Sequence, residues 1–113
     1  MAGKLTLHVL DTARGRPAAG MVVRLYREGR LLTETATNGD GRLPAPLLAG
    51  DAFVAGAFRL EFHVGDYFKK TGHPDGGKFL DVVPVDFRVN DPSENYHVPL
   101  LATPWSYTTY RGS

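Results

Sequence analysis

What most limits the folds open to this chain is a two-residue hydrophobic period that recurs along most of its length. From Lys4 to Leu10, Leu5, Leu7 and Val9 share one side while Thr6 and His8 share the other. Met21, Val23 and Leu25 alternate with Val22, Arg24 and Tyr26, and Phe58, Leu60, Phe62 and Val64 alternate with Arg59, Glu61 and His63. Val83, Val85, Phe87 and Val89 do the same with Pro84, Asp86 and Arg88. Successive side chains of a strand point to opposite faces, so each run reads as a half-buried strand with one face on a core. Glu28-Gly29 predicts a tight turn into a partner strand from Leu31 to Thr37. Pro84 lacks the N–H that a ladder needs, which puts its strand at a sheet edge.

Between these runs stand Arg16-Pro17, Asn38-Gly39-Asp40-Gly41, Asp75-Gly76-Gly77 and Asn90-Asp91-Pro92, the usual punctuation of turns. One short helix is expected, with Asp66 as its N-cap, Lys69 and Lys70 in its last turn, and Gly72 and Pro74 ending it. Short strands at regular spacing predict an all-β, two-sheet sandwich of seven or eight strands in a single domain spanning residues 1–113. A chain of 113 residues is large enough to bury roughly 65% of its unfolded surface.

Charge and composition exclude several classes. The net charge is +1 and the basic residues are scattered, so there is no field to hold a polyanion and nucleic-acid binding is not expected. There is no cysteine, hence no disulfide framework, thiolate nucleophile or zinc–thiolate site. Met1-Ala2-Gly3-Lys4 runs into the first strand without an apolar leader, and no stretch approaches a membrane span. A cytoplasmic location with no membrane partner is the expectation.

The residues that can carry chemistry are few. His8 and His97 each lie opposite a core set, Leu5, Leu7 and Val9 in one strand and Val98 and Leu100 in the other, so both should project from the outer face of a sheet. Solvated imidazoles are the commoner outcome for such positions. Yet Leu10, Pro99 and Leu101 share that face, and a face mixing apolar residues with histidine suits an interface or a lined cleft. There an imidazole can exchange protons near neutral pH. Arg42 follows the Asn38-Gly39-Asp40-Gly41 turn. It is either solvated or a planar fork aimed at an oxygen-rich ligand. That turn lacks the further acidic ligands of a calcium loop.

The terminal Tyr110-Arg111-Gly112-Ser113 follows a strand-like run from Trp105, so its side chains should be held in place rather than frayed. Ser113 offers a hydroxyl and the α-carboxylate but has no nucleophile elbow around it, so a covalent acyl-serine mechanism is not expected. His63 and His73 read as structural or surface residues. No His-x-His or His-x-x-x-His pattern occurs, so no metal is expected unless subunits pool their histidines.

The chain resembles the transthyretin-like 5-hydroxyisourate hydrolases. The resemblance rests on Leu7-His8-Val9-Leu10-Asp11, Thr37 to Arg42, Tyr96-His97-Val98-Pro99-Leu100-Leu101 and Tyr110-Arg111-Gly112-Ser113, in order along essentially the whole chain. Only the segment from Thr71 to Lys78 looks less typical. The resemblance implies a prealbumin-like sandwich with one short helix, assembled as a homotetramer, a dimer of dimers, with sites in the channel between dimers. It implies hydrolysis of 5-hydroxyisourate to 2-oxo-4-hydroxy-4-carboxy-5-ureidoimidazoline in urate degradation, without a cofactor. The catalytic positions carry over to His8, Arg42 and His97, and the substrate contacts to His8, Arg42, Tyr110, Arg111 and Ser113. Two other readings keep the fold but not the chemistry: a small-molecule carrier like transthyretin, and a structural or adhesion module. Neither gives His97 and the terminal tetrapeptide a purpose.

Overall fold

The computed structural model describes residues 3–113; of the N-terminal expectation, Met1 and Ala2 lie outside them. Nine strands, a 3-10 turn and one helix follow in the order β1 (Lys4–Asp11), β2 (Arg16–Pro17), β3 (Val22–Arg27), β4 (Arg30–Ala36), β5 (Leu48–Ala49), β6 (Gly56–His63), α1 (Val64–Lys70), β7 (Val82–Val89), β8 (Tyr96–Ala102) and β9 (Tyr107–Thr109), with the 3-10 turn at Gly50–Ala52. The count exceeds the expected seven or eight because β2 and β5 have only two residues each. Both are short pairings along β1, too brief to leave a periodic trace.

One sheet runs β2-β1-β8-β9, with β5 also on β1, and the other runs β4-β3-β6-β7. Their inner faces share one core, in which Leu5, Leu7, Val9, Val23, Leu25, Leu60, Phe62 and Leu100 are buried. These are the inward members of the alternating runs, as period-2 burial requires. The β3–β4 hairpin turns at Glu28-Gly29, and Pro84 sits on β7 at the edge of its sheet. β1 and β8 pair in parallel, with Thr6 opposite His97, His8 opposite Pro99 and Leu10 opposite Leu101. That one pairing unites two segments about ninety residues apart, and it builds the histidine-bearing face.

The helix begins earlier than expected. Its N-cap is His63 rather than Asp66, and Asp66 lies inside the first turn, where its charge still suits the helix dipole. No side chain caps it; instead the Gly65 N–H donates to the Asp81 carbonyl at 2.9 Å. A tertiary acceptor has replaced the local cap, so β6 can run directly into α1.

A buried cluster ties α1 to the end of β1. Asp11, 1% exposed, accepts from the Tyr67 hydroxyl at 2.9 Å, from the Arg14 guanidinium at 3.0 Å and from the Arg14 backbone N–H at 2.9 Å. Arg14 also donates to Thr71 Oγ1 and to the Thr71 carbonyl, at 2.7 and 2.8 Å. Burial, and then the Asp11 carboxylate, push the Tyr67 phenol up from its ordinary value. Asp11→Ala removes the acceptor of all three donors at once and is expected to cost about 2–4 kcal/mol of stability. Urea denaturation read by tryptophan fluorescence measures it; a loss below about 0.5 kcal/mol, the ordinary range for surface changes, would show the cluster to be dispensable.

Candidate active site

The site is assembled along the outer edge of β1. Asn38 closes a tight loop: its N–H donates to the Arg42 carbonyl at 2.8 Å, and its Oδ1 accepts from the backbone N–H groups of Asp40 and Arg42 at 3.0 and 3.2 Å. Thr37, nearly buried, anchors the entry: its hydroxyl donates to the Ala18 carbonyl at 2.6 Å and accepts from the Met21 N–H at 2.9 Å. The Gly41 carbonyl then takes the Val9 N–H at 2.8 Å, so the loop is stitched to β1. Gly41 has φ of +72°, and a Cβ there would run into the Val9 carbonyl; only glycine lets the loop lie this close. Arg42 is thereby carried beside His8. The solvated-or-gripping question for Arg42 resolves into a side chain on a rigid mount with no hydrogen-bond partner among the described residues.

His8 and His97 are diagonal neighbours on one face, both half-buried. His8 Nε2 lies 3.1 Å from the Asp40 carbonyl. A carbonyl only accepts, so His8 carries hydrogen on Nε2. His97 Nδ1 lies 2.8 Å from Thr6 Oγ1, and its Nε2 has no partner among the described residues. Both imidazoles titrate below their ordinary value. In each, burial is the first cause and the Arg42 guanidinium the second; for His97 the His8 ring adds to it, whereas for His8 the Asp40 contacts pull the other way. The lowering favours the uncharged ring at neutral pH, the form that can take up a proton.

Arg42, His97 and Ser113 line one cleft of about 480 Å³, together with Lys4, Thr6 and Asn95. Leu43, Pro44 and Pro46 also line it. His8 stands beside this cleft rather than in its lining. The terminal segment reaches it because Gly112 pairs antiparallel with His97 and donates its N–H to the His97 carbonyl at 2.8 Å. A Cβ on Gly112 would meet His97 Cδ2 at 2.7 Å and Pro99 Cγ at 3.2 Å. The Cδ2 side of the imidazole therefore lies against a shelf that only glycine leaves open. Gly112→Ala is expected to tilt the His97 ring off Thr6 with little loss of melting temperature; imidazole NMR signals unchanged from the parent would refute the shelf.

The strand register sets Tyr110 opposite Pro99 on the histidine face, where it is 58% exposed. Arg111 is not brought to the cleft. Its guanidinium stacks 4.0 Å over the Tyr96 ring and donates to Glu94 Oε1 at 3.2 Å and to the Asn95 carbonyl at 2.8 Å. Here it orders the turn before β8. His73 accepts the Asp75 N–H on Nδ1 and packs edge-on against Phe68, a structural role. His63 is half-buried at the strand–helix junction, its Nε2 buried and without a partner among the described residues. No group of three potential metal ligands occurs among the described residues. Thr6, Lys4 and Asn95 line the cleft without having been singled out by the sequence. Only Thr6 left a trace there, as a polar residue in phase with His8.

Two stacked sheets with a parallel β1–β8 pair, carrying two histidines and an arginine along an outer face, define the class: a transthyretin-type sandwich with a polar site. The chain belongs to the HIUase/Transthyretin family, whose model matches residues 5–112. It is 54% identical to the 5-hydroxyisourate hydrolase of Deinococcus radiodurans, over 96% of this chain and 95% of that protein. It is 51% identical to the one of Halalkalibacterium halodurans over the full length of both. Among solved structures, the 5-hydroxyisourate hydrolase of Klebsiella pneumoniae superposes with a TM-score of 0.86 at 32% identity, over 98% of this chain and 99% of that one. An (S)-allantoin synthase matches with a TM-score of 0.89 at 43% identity, over 99% of this chain but 44% of that one. Sea bream transthyretin, solved in complex with thyroxine, shares the fold with a TM-score of 0.84 at 26% identity, over 96% of this chain and 94% of that one.

Proposed function

We propose that this protein is a 5-hydroxyisourate hydrolase, converting its substrate to 2-oxo-4-hydroxy-4-carboxy-5-ureidoimidazoline in purine degradation. The observation that carries the reading is the meeting of an open His97 Nε2 with an uncommitted Arg42 guanidinium in one cleft. End-to-end likeness to proteins bearing that name supports it. The carrier reading, by contrast, leans on the shared fold alone and leaves both groups idle.

The reaction opens a ring at an acyl C–N bond. A water must lose a proton as its oxygen adds to the acyl carbon, and the oxyanion formed must be stabilised. The C–N bond then breaks with its electron pair going to nitrogen, which takes up a proton. His97 and His8 supply the proton transfers, and their lowered pKa values favour the uncharged ring at neutral pH, the state a base needs. Arg42 orients the oxygen-rich substrate and offsets the developing negative charge. Ser113 adds a polar contact at the wall, and Tyr110 closes the outer rim. For Arg111 the geometry favours support of the terminal segment over direct contact with substrate. No step calls for a cofactor.

A second copy of the chain completes the site in this reading. Leu10, Leu101 and Tyr110 leave apolar surface around the histidines that covering by another dimer would dry, as in a dimer-of-dimers homotetramer. Covering lowers the local dielectric and strengthens every charge interaction in the cleft.

The test is direct. 5-Hydroxyisourate is generated from urate by urate oxidase, and its absorbance decay is followed with and without the protein. Acceleration proportional to protein concentration is expected; decay at the spontaneous rate would end the assignment.

A further inference from the structure

The histidine face contains a polar residue that the mechanism above does not use. Thr6 stands directly opposite His97 in the parallel β1–β8 register, and its Oγ1 lies 2.8 Å from His97 Nδ1. Neither the Thr6 hydroxyl nor His97 Nε2 has another side-chain or backbone partner among the described residues. From these contacts we propose that Thr6 is a positioning residue: it accepts the Nδ1 proton of His97 and so keeps the lone pair on Nε2, toward the cleft.

The argument is one of tautomers. A neutral imidazole has one N–H and one lone pair, and the bond made by one nitrogen decides what the other presents. His8 is already committed, since its Nε2 must carry hydrogen to meet the Asp40 carbonyl. His97 is the histidine that lines the cleft with Arg42 and Ser113. If Thr6 donated to Nδ1, His97 would offer only an N–H toward the cleft and could not act there as a base. With Nδ1–H donated to Thr6, the lone pair falls on the open side. Gly112 completes the placement, because a Cβ there would collide with Cδ2 of the ring. Thr6 thus meets the ring at Nδ1 while Gly112 leaves room for its Cδ2. Unlike a carboxylate, the threonine hydroxyl brings no negative charge that would raise the pKa of the ring. The proposal rests on the hydrolase reading for its purpose, though not for its test.

That test uses long-range proton–nitrogen NMR on the whole, substrate-free protein, with His97→Gln identifying the His97 signals. The expected wild-type spectrum shows a protonated Nδ1 and an unprotonated Nε2 on His97 above the imidazole pKa. Thr6→Val, which matches the shape and suits a strand, is expected to mix or invert the tautomers. It should also lower kcat about tenfold or more with KM little changed, the scale of loosening a group that holds a reacting side chain. Thr6→Ser, which keeps the hydroxyl, should restore both. A His97 that carries hydrogen on Nε2 in the wild type would overturn the proposal, as would a Thr6→Val spectrum identical to wild type. Should Thr6→Val fold poorly, the wild-type and Thr6→Ser spectra still decide the matter. If the wild type failed to turn over 5-hydroxyisourate, the function would be wrong while the tautomer result would stand on its own.

Discussion

His97→Ala is expected to lower kcat by about a hundredfold to ten-thousandfold at neutral pH, the range spanned by loss of a positioned acid or base. The size follows from where the ring stands. His97 is the imidazole that lines the cleft, its Nε2 is open, and it titrates below the ordinary value because it is partly buried and faces Arg42 and His8. The Nε2 of His8 is bound to the Asp40 carbonyl, so that atom offers no lone pair in its place. Stability should change little, because the ring is half-buried and the Thr6 hydroxyl it leaves can be hydrated. The decisive measurement pairs turnover with thermal unfolding, and adds free imidazole to the alanine variant. Partial recovery of rate by imidazole marks a lost proton-transfer group. Full activity without it would remove His97 from the mechanism and leave His8 as the base.

How much of this was legible in the sequence depends on the distance over which each feature is determined. The strands were, because a residue's face depends only on its neighbours two positions away: Leu5, Leu7 and Val9 point inward and His8 outward, as the alternation demands. The edge position of β7 was also legible, from the one missing N–H at Pro84. The helix start was not, since the acceptor that caps it is the Asp81 carbonyl, and no local pattern announces a partner from another segment. β2 and β5 were missed for the same reason, being pairings that exist only because β1 has an edge to cover.

The candidate site divides in the same way. His8, Arg42 and His97 could be nominated because their residue types and phases are visible one at a time. The Thr6–His97 contact depends on a parallel register between strands at opposite ends of the chain, and Gly112 owes its identity to a ring pressed against it from β8. Arg111 shows the converse. Its membership in the terminal tetrapeptide suggested a substrate contact, whereas its partners are Glu94, the Asn95 carbonyl and the Tyr96 ring. Even in an ordered terminal strand, side chains alternate, and Arg111 falls on the face away from the histidines.

Arg42→Gln is expected to lower kcat/KM by about 10²–10³, the cost of removing one donor aimed at a developing oxyanion, and also to shift the pH profile. The sign is fixed by charge. Protonating His8 or His97 places a second positive charge beside the guanidinium, so Arg42 holds both pKa values down. In the wild type the acid limb of kcat/KM therefore has its midpoint below the ordinary imidazole value of about 6.5. Activity is full above that limb and fades as pH falls through it. Without the guanidinium the midpoint rises, though not fully to the ordinary value, because burial, the larger cause for both rings, remains. Arg42→Lys separates the two roles. A lysine keeps the positive charge but not the planar two-pronged donor, so it should return the limb close to its wild-type midpoint while kcat/KM stays well below wild type. A lysine variant with full activity would mean that charge alone suffices. A glutamine variant with an unmoved limb would mean that the field of Arg42 does not reach the titrating histidine, and the base would have to be sought farther from this cleft.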